Sequence, residues 1–422
     1  MTETIHLTPG VVLRCIPDSR FKKGAMSIQL LRPMADSESA LNALLPAVLL
    51  RGTEQSPDLR AITERLDSLY GASIGALVRR IGNVQTVGFY LSFMEDRFAL
   101  DGDEILAPMI AFAEEALLRP RLEKGLLDPD FVDSEKKNLI STIESELNDK
   151  RSYAAGQMLR RMCRGDSFAV PRLGRVEDVA KITPESLTEH YRRILENSFA
   201  EIFYVGTAAP RRVAELLMPL ARKLALGQPK LPEQTAFVPQ AEPSAFSEEM
   251  DIAQSKLSMG FYNGVTNREP DFAAMQVFNA VYGAGMTSKL FVHVREKLSL
   301  CYYANSAYYG SKGIVTVSCG IDAERYAQAR EEILRQLEAV CRGEITAEEL
   351  EGAKLSLLSS LRGVPDSPGA LESFYGTAAV SGMLWDIPEY MERIRAVTAG
   401  DVARVARSLR LHTEFLLKGV GQ

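Results

Sequence analysis

Histidine is scarce in this chain: four in 422 residues (His6, His190, His293 and His412), and no two close enough to share one helix face. That spacing excludes a zinc site built locally from imidazoles. Cysteine is nearly as rare. Cys15, Cys163, Cys301, Cys319 and Cys341 are scattered, odd in number and never arranged as CxxC. Such a set reads as reduced, mostly buried thiols rather than a disulfide framework. Long apolar runs are missing too, and no window reaches the roughly 18 residues of a membrane-spanning helix. The opening residues, MTETIHLTPG, lack the basic-then-apolar layout of a secretory signal. A formal net charge of −6 gives no general attraction to nucleic acid or anionic membrane. With 46% hydrophobic and 25% charged residues, the expectation is a globular protein of the cytosol.

What the chain does contain is repetition. Residues 227–249, GQPKLPEQTAFVPQAEPSAFSEE, hold four prolines and no helical period, which predicts an extended linker between residues 1–226 and 250–422. The two parts carry the same succession of segments. Alternating apolar residues predict strands at AMSIQLLRP and KLSMGFYNG. Apolar helices follow at ALNALLPAVLLRGT and DFAAMQVFNAVYGAG, then amphipathic helices at DLRAITERLDSLYGAS and SKLFVHVREKLSLCYYANS. Strands VQTVGFYLSF and GIVTVSCGID come next, followed by helices EILAPMIAFAEEALL and RYAQAREEILRQLEAV. A last matching pair, DPDFVDSEKKNLISTIESEL and TAEELEGAKLSLLSSLRGV, begins in each case with a capping residue and acids. The pattern predicts an α+β protein of two tandem homologous domains, each a mostly antiparallel mixed sheet with helices packed on it.

With those elements in place, the chain resembles the pitrilysin/insulinase family of zinc peptidases, in particular its smaller, processing-peptidase-like members. The likeness covers nearly the whole chain and is strongest at YGAGMTSKLFVHVREKLSLCYY. There Gly283, Gly285, Met286, Thr287-Ser288, Leu290-Phe291, Arg295-Glu296-Lys297 and Leu300-Cys301-Tyr302 follow the family pattern. A second similar segment is GRVEDVAKITPESLTEHYRRIL. The resemblance implies a clam-shell arrangement of the two domains. It also implies that the apolar helix ending at Arg51-Gly52-Thr53 is the one that carries HxxEH in active members. Two histidines and a downstream glutamate hold zinc there, and the motif's own glutamate activates the water. In this chain the motif falls on Ala43, Leu44, Leu45, Pro46 and Ala47, and Thr142 stands where the third ligand would be. Glu135 keeps a second acidic position of the family. No zinc is expected here except in a catalytic partner. Because proline in a helix interior costs roughly 3 kcal/mol, this helix is expected either to begin near Pro46 or to kink there.

The same resemblance gives Arg295 and Tyr302 a role in substrate binding. A guanidinium can grip a carbonyl or carboxylate, and a phenol can donate to a developing oxyanion. Gly283 and Gly285 form a turn that touches extended substrate in the family. Their context lacks the GxxxxGK[ST] spacing of a phosphate loop. Pro and Gly in RGVPDSPGALESFYG predict a mobile loop. The function implied is that of a non-catalytic subunit in a two-chain peptidase, inactive alone, whose HxxEH-containing homologous partner supplies metal and base. Its other ligand would be a peptide, and a homodimer is the other assembly open to it. The competing readings are a structural or peptide-binding protein of the same fold, and an enzyme of unrelated mechanism, for which no nucleophile elbow is visible.

Overall fold

The computed structural model describes residues 2–146, 148–299 and 301–420. The chain divides into two compact units, neither of them continuous in sequence. One comprises residues through Glu144, Val170–Glu233 and Val364–Val380; the other comprises Ser145–Ala169, Gln234–Gly363 and residues from Ser381 onward. The change of unit in the proline-rich segment falls after Glu233, and two short segments are exchanged between the halves of the sequence.

In the first unit, strands β1 (Glu3–Thr8), β2 (Val11–Pro17), β3 (Lys23–Pro33), β4 (Ser73–Ile81) and β5 (Val84–Met94) join one sheet, and β6 (Leu122–Glu123) and β7 (Leu126–Leu127) form a separate small hairpin. With β8 (Phe199–Gly206), the sheet has the order β1-β2-β8-β3-β5-β4. The central strand β3 is buried from Gly24 through Leu31 and pairs antiparallel with β5, Ile28 opposite Phe89. Only β2 and β8 run parallel.

The second unit contains β9 (Ser244–Met250), β10 (Ser255–Tyr262), β11 (Cys301–Tyr309), β12 (Ile314–Ile321) and β13 (Arg410–Gly419), ordered β11-β12-β10-β13-β9. Read from the other edge, this order repeats that of the first sheet without β1, and the single parallel pair, β13 with β9, recurs in the corresponding place. In each unit the helix before the last central strand starts at a threonine capping box, Thr183 with Ser186 and Thr398 with Asp401. The two units thus share strand order, chain direction and helix-start chemistry. The end of the predicted linker belongs to β9, an edge strand.

The exchanged segments are helices. Lys150–Met162 lies on the second unit's sheet with Met158 and Met162 over Gly260, where any Cβ would meet their sulfurs, and joins Phe415 and Leu417 in one apolar cluster. Pro368–Ser381 belongs, through Val380, to the first unit, and its Glu372 is fully buried against Ser27, Gln29 and Arg79 of that sheet. The segment RGVPDSPGALESFYG is therefore helical over most of its length rather than a loop, because a buried carboxylate with strong donors holds it down. No helix among the described residues is long and apolar enough to cross a membrane.

Candidate functional site

The helix Asp36–Leu49 runs through Pro46, which sits ten residues past its first, so the helix does not begin near the proline. Packing explains the tolerance: Ala40, Leu44, Leu45, Val48 and Leu49 are all buried in the first unit's core, and that burial offsets the missing bond to the Asn42 carbonyl. Ala43 is buried at 7% exposure, Pro46 is buried, and Ala47 is half-buried. Thr142, exposed on the helix Pro129–Glu146, donates its hydroxyl to the Asn138 carbonyl of its own helix at 2.9 Å. Methyl groups, a pyrrolidine ring and a back-bonded hydroxyl offer zinc no ligand set.

Glu135 is engaged as well. Arg51 Nη1 lies 3.3 Å from Glu135 Oε1, and the Arg51 guanidinium sits over the Phe131 ring at 5.7 Å. A fixed cation next to the one acid at these positions opposes a divalent ion by simple repulsion. Among the described residues no three His, Cys, Asp or Glu side chains converge to hold a metal. The Gly52-Thr53 end of the motif serves the fold instead. A Cβ at Gly52 would come within 2.5 Å of the Pro57 carbonyl oxygen, and the Thr53 hydroxyl bonds buried Glu115.

Behind Ala43, on the same helix, lies a closed hydrogen-bond chain. Gln85 Nε2 donates to the carbonyls of Ser39 (3.1 Å) and Arg172 (2.7 Å), Asn42 Nδ2 donates to Gln85 Oε1 at 2.8 Å, and Asn42 Oδ1 faces His190 Nε2. All three of these side chains are buried, so the network fixes the back of the helix.

The second unit treats its corresponding region differently. The stretch SKLFVHVREKLSLCYYANS is not one amphipathic α-helix. Leu290–Lys297 is π-helical, and β11 begins at Cys301, placing Tyr302 on an edge strand; Leu300 lies outside the described residues. Short π-helical stretches recur at functional sites, where the wider turn redirects side chains. Here Arg295 and Tyr302 line one cavity of about 430 Å³ together with Ser299, Cys301, Asp322 and Arg325. Tyr302 is 67% exposed. Arg295 stacks on the Phe291 ring at 4.6 Å, and its Nη1 is 3.6 Å from Glu296 Oε1.

The glycines of the turn do not line that cavity. Gly283 is required by close approach, since a Cβ there would fall 2.5 Å from Ser306 Oγ and 2.6 Å from Ser306 N. Gly285 takes φ +129°, which side-chain-bearing residues rarely adopt. Both are thus accounted for by chain geometry, and Gly283 ties the turn to β11 through the Ser306 N–H at 3.0 Å. Ser299, Asp322 and Arg325 were not singled out by the sequence. No motif marks them; Asp322 and Arg325 reach the cavity only because β12 returns beside β11, while Ser299 lies just before β11.

Comparison with known proteins agrees with these observations. Residues 181–357 match the Peptidase M16 inactive domain. The probable inactive metalloprotease YmfF of Bacillus subtilis is 28% identical over 97% of this chain and 96% of its own. The uncharacterized zinc protease YmxG of the same organism is 25% identical over 58% of this chain and 59% of its own. Among solved structures, a conserved protein from Enterococcus faecalis superposes with a TM-score of 0.92 at 27% identity, covering 100% of this chain and 99% of the other. A peptidase M16 inactive domain from Pseudomonas fluorescens, 17% identical, shares the fold with a TM-score of 0.82 over 100% and 99% of the two chains. In its duplicated fold, in the domain matched over residues 181–357 and in the ligand-free helix, this chain is similar to M16 (pitrilysin/insulinase) peptidases of the kind that lacks activity.

Proposed function

We propose that this protein is the non-catalytic subunit of a two-chain M16 peptidase, binding peptide through Arg295 and Tyr302 while an HxxEH-bearing homologue supplies zinc and base. One observation carries the reading. Tyr302, largely exposed, and Arg295, half-buried, line one cavity of about 430 Å³, in a chain that holds Ala43, Pro46, Ala47 and Thr142 at the positions aligned with the metal motif. Exposure of a phenol and a guanidinium in one concavity is what peptide binding requires. The guanidinium can hold a backbone carbonyl, and the phenol can donate to the oxygen that becomes anionic during attack. An extended peptide could also pair its main chain with β11, the open edge of this sheet.

The experiment is reconstitution. The isolated chain should hydrolyse no unstructured fluorogenic peptide. Mixed with an HxxEH homologue it should form an active complex. In that complex Arg295→Ala or Tyr302→Phe should lower turnover by about 10²-fold, in line with loss of one oxyanion donor, with zinc content unchanged. Full turnover of the doubly substituted complex would count against the shared site. Peptide binding with no gain in hydrolysis would make the protein a peptide-binding member of the family instead.

A further inference from the structure

The cavity beside Arg295 contains a second guanidinium, which the reading above leaves idle. Arg325 follows β12 in a short 3-10 turn and donates from Nη1 to the Ser299 carbonyl at 2.6 Å. Ser299 is held at φ +48°, a left-handed conformation that a serine seldom takes without cause. The clip anchors the connector between the π-helical turn that bears Arg295 and the strand that bears Tyr302. Arg325 thereby sets the shape of the cavity as well as lining it.

The ion pairs within the cavity are loose. Arg325 Nε is 3.8 Å from Asp322 Oδ2, and Arg295 Nη1 is 3.6 Å from Glu296 Oε1; both acids are more than half exposed. Both separations exceed hydrogen-bonding distance, and Arg295 makes no hydrogen bond among the described residues. The Arg295 fork, and the part of the Arg325 fork not bonded to Ser299, therefore present donors that no protein oxygen takes up. A carbonyl inside a peptide is neutral and needs only one of them. A carboxylate carries the charge, and the paired oxygens, that two forks match. At about 430 Å³ the cavity lies at the small end of the roughly 300–1,000 Å³ typical of ligand sites, a size suited to a chain end.

We infer that this cavity is a carboxylate subsite, in which Arg295 and Arg325 capture the free C-terminal carboxylate of a short peptide and Tyr302 lends a further donor. The inference rests on the peptide-binding reading above and narrows it from internal segments to peptide ends. Asp322 and Glu296 oppose the incoming carboxylate, so they set its affinity rather than provide it.

The test uses the purified full chain and one short unstructured peptide, N-terminally labelled with fluorescein and made as the free acid and as the C-terminal amide. Anisotropy titrations should show the acid binding about 10- to 100-fold more tightly, the effect of charge-assisted hydrogen bonds. Arg325→Gln should remove the acid's advantage, bringing the two peptides to the same affinity. Asp322→Asn should tighten the acid severalfold, a gain that misfolding cannot produce. Equal affinity of acid and amide in the wild-type chain would overturn the carboxylate subsite and leave peptide binding standing. Failure of both forms to bind, with and without an HxxEH homologue, would overturn the peptide-binding reading and this inference with it.

Discussion

His190 Nε2 lies 2.7 Å from Asn42 Oδ1, and the surrounding bonds fix which of the two carries the proton. Gln85 Nε2 donates to two carbonyls, so Gln85 Oε1 must accept from Asn42 Nδ2, and Asn42 Oδ1 must accept from His190. On the other side of the ring, Arg193 Nη2 is 2.9 Å from His190 Nδ1. A guanidinium only donates, so Nδ1 is bare and the imidazole is neutral. Burial, opposed by Glu38 and reinforced by Arg193 and Arg32, lowers the histidine to about 4.

A pH dependence of stability follows from that assignment. In the unfolded chain this histidine titrates near its ordinary value of about 6.5, while in the folded chain it stays neutral down to about 4. The unfolded state therefore gains a proton first as pH falls. Stability is fully present above the unfolded value, declines through the window from about 6.5 to about 4, and loses at most about 3 kcal/mol there. Melting temperature measured against pH should fall through that window, and His190→Gln should flatten the slope. An unchanged slope in the variant would assign the effect to other groups.

Glu372 ties the exchanged helix Pro368–Ser381 to the first unit. Its two oxygens take Arg79 Nη1 and Nη2 at 3.0 and 2.9 Å, and Ser27 Oγ and Gln29 Nε2 add bonds at 2.6 and 2.9 Å. Removing one member of such a pair strands the rest without their acceptor, at about 3–5 kcal/mol. Glu372→Ala should lower the melting temperature and speed hydrogen exchange over 368–381. Glu372→Gln, which keeps one acceptor, should do less on both counts. Equal effects of the two variants would mean that the charge, and not the loss of all acceptors, is what matters.

The duplicated sheets were legible because their strands, such as AMSIQLLRP and KLSMGFYNG, alternate or run apolar over lengths that suit half-buried and buried strands. Helix positions were legible for the same local reason. What periodicity could not give is which sheet a helix joins: Lys150–Met162 and Pro368–Ser381 pack on the sheet of the opposite half of the sequence, a choice made by contacts far away in the chain. The π-helical turn at Leu290–Lys297 was also hidden, since its residues suit an α-helix equally well. Within the candidate site, aligning the motif was enough to assign Ala43, Pro46 and Ala47 to one helix, which the structure has as Asp36–Leu49. Arg325 and Ser299 could not be placed in that way, because their meeting depends on β12 returning beside β11.

The positions that the resemblance aligns with the metal motif allow a constructive test. His side chains at 43 and 47 would share one helix face, four residues apart. A glutamate at 142 would replace a hydroxyl that now bonds its own helix. Purified wild-type protein should carry no zinc by elemental analysis. Ala43→His/Ala47→His/Thr142→Glu should carry about one zinc per chain, the complement of three protein ligands typical of catalytic sites. Adding Arg51→Gln, which removes the cation beside Glu135, should raise the affinity further. Zinc bound stoichiometrically by the wild-type chain would contradict the whole account of this helix.

Cys301 should react before Cys15, Cys319 and Cys341. Contact with the Cys319 thiol lowers it below the ordinary thiol range, burial works against that, and the Arg295 charge adds to the lowering. Cys15, Cys319 and Cys341 are held protonated. Burial pushes Cys15 up to about 12, Cys319 is driven well up by Cys301 and by burial, and burial raises Cys341. Because the thiolate is the nucleophile, iodoacetamide at neutral pH should modify Cys301 faster than Cys15, Cys319 and Cys341, as read by mass spectrometry of tryptic peptides. Cys301 also borders the cavity of Arg295 and Tyr302, so a bound free-acid peptide should slow its alkylation while leaving the half-exposed Cys341 unaffected. Faster labelling at Cys341 than at Cys301 would show that access, and not thiolate character, governs reactivity in this protein.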